Sequence, residues 1–222
     1  RKYQNVWHTV WNIGGVAYQM PEPGDYLTTE LGIDSIIMVR QEDGSVKAFF
    51  NSCPHRGTRI TDAEDGHVQE FSCPYHGWRF DRAGVVTSVP DEEDFVESPC
   101  GKARLKEMRC EERFGLIWYN FDPDALTLDA SLGETICREL EAHRIEDMLR
   151  VLDMTAETRS NWKIITDNFN EAYHVKVLHP ELIPYIAADY QDCQFDLFPS
   201  GHNRGWFPAF MPSQQYGSEI IG

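Results

Sequence analysis

The chain has 222 residues, 41% of them hydrophobic, and a formal charge of -16. That is enough to build one large domain or two ordinary ones, while the negative charge disfavours nucleic acid or an anionic membrane, which need clustered Lys and Arg. The longest apolar runs, residues 35–39 and 115–121, fall short of the roughly 18 to 20 residues that a spanning helix needs, so no membrane span is expected. Residues 1–7 contain no signal-like apolar stretch, and a cytoplasmic location is expected.

From Trp7 to about Asn120 the sequence reads as short strands separated by Gly, Pro and Asp. Ser35 to Arg40 and Val46 to Phe50 flank the turn signal Glu42-Asp43-Gly44, and Gly115 to Tyr119 is a later strand. This spacing predicts a small β-sandwich or barrel. Phe121-Asp122-Pro123-Asp124 marks a change toward helix, so a domain of residues 1–124 and a second of 125–222 are expected. Leu132 to Leu149 and Asn161 to Val177 are the predicted helices of the second.

Six cysteines are present. Cys53-Pro54-His55-Arg56-Gly57 and Cys73-Pro74-Tyr75-His76-Gly77-Trp78 form a C-x-H and C-x-x-H pair separated by seventeen residues. Two thiolates and two imidazoles suit either a tetrahedral zinc or a [2Fe–2S] centre with two histidine ligands, and spacing alone leaves both open. The prolines predict tight loops, expected at the tips of β-hairpins. Cys100, Cys110, Cys137 and Cys193 have no histidine nearby and read as plain thiols; His67, between the loops, reads as an ordinary histidine.

The two loops match every position of the C-P-H-R-G and C-P-x-H-G-W loops of the Rieske family, which the chain resembles. The resemblance implies a Rieske [2Fe–2S] cluster, with Cys53 and Cys73 on one iron and His55 and His76 on the other. Neutral histidine ligands raise the reduction potential above that of an all-cysteine cluster, which suits onward electron transfer.

A second group lies at Asn161-Trp162-Lys163 and Asp167 to Pro180. On a continuous helix Asn168, Glu171 and His174 would share one face. His179, five residues after His174, requires the helix to end, bulge or tighten between them. Two histidines and one carboxylate form a facial triad that leaves positions open on Fe(II).

The pattern N-x-x-E-x-x-H-x-x-x-x-H after N-W-K resembles the catalytic domain of ring-hydroxylating Rieske oxygenases. The resemblance implies an α+β fold: an all-β Rieske domain, then the start of a helix-grip catalytic domain. It implies that His174 and His179 bind a mononuclear non-haem Fe(II), that Asn168 is a supporting polar residue, and that Glu171 bridges the two metal centres. In that family the bridge runs from a cluster histidine of one subunit, here His76, to an iron histidine of its neighbour. A homotrimer or an α3β3 assembly follows from this. The third iron ligand of the family lies far downstream; Asp189, Asp192, Asp196 and Glu219 are not expected to supply it.

The expected activity is O2-dependent hydroxylation of a small organic, aromatic substrate. No G-x-G-x-x-G fingerprint is present, so NADH or NADPH is expected to act indirectly, through a separate flavin reductase or ferredoxin. Glu171, where many relatives carry Asp, also occurs in relatives that oxidise quaternary amines. That keeps an N-demethylating or betaine-type monooxygenase as the alternative, ahead of a Rieske ferredoxin or a zinc-stabilised structural protein. Phe198, Trp206, Phe207 and Phe210 are candidate pocket residues or core.

Overall fold

The computed structural model describes residues 4–182 and 190–208, which divide into two compact units after Leu149. Asp189, Phe210 and Glu219 lie outside the described residues.

The first unit begins with a short helix, α1 (Gln4–Trp7), and is otherwise mostly strand. Its strands are β1 (Asn12–Val16), β2 (Asp25–Leu31), β3 (Asp34–Arg40), β4 (Val46–Phe50), β5 (Asp65–His67), β6 (Phe71–Ser72), β7 (Arg79–Phe80), β8 (Val86–Ser88), β9 (Glu107–Arg113) and β10 (Leu116–Asn120). Seven form one antiparallel sheet in the order β1-β10-β9-β4-β3-β2-β5, and β6-β7-β8 form a second. Asn12 of the first strand pairs with Tyr119 of the last.

β3 explains how this unit is filled. Ile36, Ile37, Met38 and Val39 are all fully buried, because strand alternation sends them to opposite faces and both faces are covered. Ile37 and Val39 join Phe49, Phe71, Phe80, Cys53 and Cys73 in one core. Ile36 and Met38 join Met20, Leu27, Ala48 and Tyr119 in another. Each fully buried Val, Leu, Ile, Phe or Met among them contributes roughly 1.5–3 kcal/mol. The β3–β4 turn forms as its Asp-Gly signal predicts: Asp43 accepts from the Ser45 N–H at 2.9 Å, and Gly44 takes a left-handed φ of 81°.

Helices α2 (Leu128–Leu132) and α3 (Glu134–His143) pack on the first unit. Thr127 caps α2 by accepting from the Ala130 N–H, and buried Leu128 and Leu132 meet Phe114 and Trp118. The change from strand to helix near Asp124 therefore lies inside this unit, which ends at Leu149.

The second unit contains α4 (Trp162–Phe169), α5 (Val175–Leu178) and the hairpin of β11 (Gln194–Leu197) with β12 (Asn203–Trp206). Asn161 caps α4, its side-chain Oδ1 accepting from the Lys163 N–H at 3.0 Å. The single helix expected over Asn161 to Val177 is instead two, broken at residues 170–174. Glu171 causes part of this break: its carboxylate accepts from the backbone N–H groups of Tyr173 and His174, an alternative to the helical ladder.

Candidate metal centres

The two cysteine loops repeat one backbone design. Cys53 N–H donates to the Thr58 carbonyl and Gly57 N–H to the Cys53 carbonyl, both at 2.8 Å. Cys73 N–H donates to the Trp78 carbonyl at 2.8 Å and Gly77 N–H to the Cys73 carbonyl at 3.0 Å. The turns close through left-handed residues, Gly57 at φ 76° and Gly77 at φ 69°. Both positions have room for a side chain, so the backbone conformation is what favours glycine. Only the second loop tops a hairpin, that of β6 and β7. The first leads from β4 to β5, which are not neighbours in the sheet, so the expectation of two hairpin tips holds for one loop.

Sequence reasoning passed over the residue that closes the first loop. Asn51 is buried; its amide nitrogen donates to the Thr61 carbonyl at 2.7 Å and to Ser35 Oγ at 3.1 Å. Its oxygen accepts from the N–H groups of Ile60 at 2.9 Å and Thr61 at 3.2 Å. A polar residue two positions before the C-x-H run, at the end of an apolar strand, was the available signal.

The donor atoms are sorted by depth. Cys53 and Cys73 are 2% exposed, whereas His55 is exposed and His76 half-buried. The imidazoles lie 4.7 Å apart between centroids. Burial pushes the Cys53 thiol up, and neighbouring Cys73 adds to this. Two thiolates in such an apolar site need a bound cation, which is the chemistry of a metal ligand. His55 is pushed down by partial desolvation and by the charges of His76 and Arg56, favouring the neutral imidazole that can ligate. The residues fit a centre with two inner thiolates and two outer imidazoles.

In the second unit His174 directly precedes α5 and His179 directly follows it. Five residues of ideal helix turn by ~500°, leaving side chains ~140° apart. The rings nevertheless meet edge to face at 5.5 Å, because His179 leaves helical geometry (φ -127°, ψ 53°). Glu171 Oε1 is hydrogen-bonded to His174 Nδ1. That bond holds the Glu171 carboxyl below the usual carboxylate range, helped by the N–H groups of Tyr173 and His174. A carboxylate on one ring nitrogen orients a histidine and raises its basicity as a ligand. Asn168 sits exposed in α4, on the other side of the break, so the shared helical face expected of Asn168, Glu171 and His174 does not form.

Among the downstream carboxylates, Asp196 is committed to Arg204, whose Nε donates to it at 2.9 Å. Glu181, which the sequence reading passed over, lies 3.5 Å from His179 Nδ1. Among the described residues, no three His, Cys, Asp or Glu side chains gather as a single-ion site. The aromatic residues of the hairpin occupy two faces. Phe195 packs edge to face on Phe207 at 5.6 Å, while Trp206 stands opposite Gln194.

Two known families match in the order of these two sites. "Rieske [2Fe-2S] domain" matches residues 10–107 and "Ring hydroxylating alpha subunit (catalytic domain)" matches residues 145–220. The chain belongs to the Rieske oxygenase alpha-subunit family. Within that family, the carnitine monooxygenase oxygenase subunit of Escherichia coli is 32% identical over 84% of this chain and 50% of its own length. The large oxygenase component of the naphthalene 1,2-dioxygenase system of a Ralstonia species is 38% identical over 72% of this chain and 37% of its own. The chain thus spans half or less of these Rieske relatives. A naphthalene 1,2-dioxygenase structure with indole bound superposes with a TM-score of 0.67 at 34% identity, covering 82% of this chain and 42% of that one. A quaternary ammonium Rieske monooxygenase holding L-carnitine shares the fold, with a TM-score of 0.76 at 23% identity over 92% of this chain and 58% of that one. The family implies a Rieske cluster and a non-haem iron. Among the described residues, no helix is long and apolar enough to cross a membrane.

Proposed function

We propose that the chain is the cluster-bearing front part of the oxygenase component of a multicomponent Rieske oxygenase. On this reading the first unit is the electron-transfer domain, and the catalytic domain starts after Leu149 and continues beyond this chain. Cys53 and Cys73 hold the inner iron of the cluster and His55 and His76 the outer one. His174 and His179 hold the mononuclear iron, with its carboxylate ligand supplied by a residue not described here. When bound, the two centres supply one-electron transfer and the activation of O2. Glu171 fixes the orientation of His174 and offers its carboxylate to a cluster histidine of a neighbouring subunit in a ring of three. The electrons come from NADH or NADPH through a separate reductase or ferredoxin.

The observation that carries this reading is the convergence of His174 and His179 at 5.5 Å with Glu171 bonded to the first of them. An electron-carrying ferredoxin has no use for that arrangement. The substrate is a small organic molecule, aromatic on the main reading. Glu171 in place of Asp, together with the carnitine-oxidising relative, favours a quaternary amine as the second reading.

The full-length protein tests both levels. Iron in excess of acid-labile sulfide is expected; equal amounts point to an electron carrier, and zinc without sulfide rejects the assignment. Glu171→Gln should keep both metals yet lose coupled turnover, whereas wild-type turnover would refute its bridging role. A cis-diol product identifies ring dioxygenation, and formaldehyde or a released amine identifies the amine reading.

A further inference from the structure

The two cluster histidines are supported differently. The imidazole of His55 lies flat on the indole of Trp78, with centroids 4.9 Å apart and planes 8° apart. Trp78 belongs to the other loop and is itself fixed: it is 7% exposed, its carbonyl accepts from Cys73 N–H, and Phe95 meets it edge-on at 6.1 Å. His76 instead lies against Tyr75, with centroids 3.9 Å apart and planes tilted by 32°, and Tyr75 is 57% exposed. One imidazole is thus braced by the core and the other by a surface ring.

We propose that Trp78 is a positioning residue that fixes the plane of His55 and shields that side of the cluster site from water. The inference rests on the cluster reading above. An imidazole whose face is covered by a rigid ring is held to one plane, which limits the directions open to its metal bond. Electrostatics add a second consequence. Reduction adds negative charge at the cluster, and an apolar indole stabilises that charge less well than water does. Trp78 therefore holds the reduction potential down as well as holding His55 still.

The test uses the full-length protein with iron and sulfide loaded, read by electron paramagnetic resonance and by redox titration. In Trp78→Leu the midpoint potential should rise by about 59 mV, a tenfold change in a one-electron equilibrium, with a broadened spectrum. Trp78→Phe, which keeps an aromatic plate, should recover most of both. Wild-type potential and line shape in Trp78→Leu overturn the proposal. Should that variant fail to fold, Phe95→Ala decides: this surface change loosens the indole without touching a ligand. It should move the potential in the same direction by less, and an unchanged potential refutes the role. A wild-type protein that takes up iron but shows no Rieske-type spectrum rejects the cluster reading itself.

Discussion

Replacing Asn51 with Ala removes both halves of an amide that joins β3, β4 and the end of the first cysteine loop. Four hydrogen bonds go at once: two donated, to Thr61 and Ser35, and two accepted, from Ile60 and Thr61. The Ile60 N–H suffers most. Ile60 is 5% exposed, so water does not replace the lost acceptor, and an unsatisfied buried donor costs about 1–3 kcal/mol. The other three partners are closer to solvent, and each loses a net bond of about 0.5–1 kcal/mol. The sum is about 2.5–6 kcal/mol, a large part of the roughly 5–15 kcal/mol that stabilises a domain. Urea unfolding of the apo-protein, followed by tryptophan fluorescence, measures it, and sulfide content after loading shows whether the loop still gathers its ligands. A loss below about 1 kcal/mol with full sulfide content would refute the view that Asn51 closes this loop.

Three further outcomes follow. Gly57→Ala should cost roughly 1–2 kcal/mol from the left-handed backbone alone, because a Cβ there meets only Ser52 Oγ at 3.9 Å; Gly57→Asn should cost less, and equal stability of all three proteins in urea would contradict this. Leu128→Ala, at a fully buried position under α2, should destabilise the first unit by about 2–5 kcal/mol in a thermal melt; an unchanged melt would mean that α2 does not belong to that core. His179→Ala should lower iron while leaving acid-labile sulfide at the wild-type level, and equal loss of both would tie His179 to the cluster instead.

Much of the first unit was legible because its signals are local. The Asp-Gly turn between β3 and β4 and the tight turns expected of the two Cys-Pro loops each depend on a few adjacent residues. The extent of that unit was less so, because the pull of Phe114 and Trp118 on Leu128 and Leu132 is tertiary. At the second site, the resemblance carried by the N-x-x-E-x-x-H-x-x-x-x-H pattern singled out His174 and His179, whose rings meet at 5.5 Å. The helix pattern misled about Asn168: a glutamate that bonds its own downstream backbone competes with the ladder, and apolar periodicity does not register that competition. Trp78 stacks on His55 of the other loop, and Asn51 bonds backbone groups 9 and 10 residues downstream; no periodicity reports such contacts.

The pairing of Asn12 with Tyr119 sets an order of assembly. Both cysteine loops leave the ribosome before β10, so Cys53 and Cys73 exist as chain before the last strand of the seven-stranded sheet is made. At about 5–20 residues per second this interval lasts a few seconds. Sheets with such distant partners also fold slowly. Cys53 and Cys73 therefore spend that interval in a chain whose first strand has no partner yet, with their thiols open to oxidation.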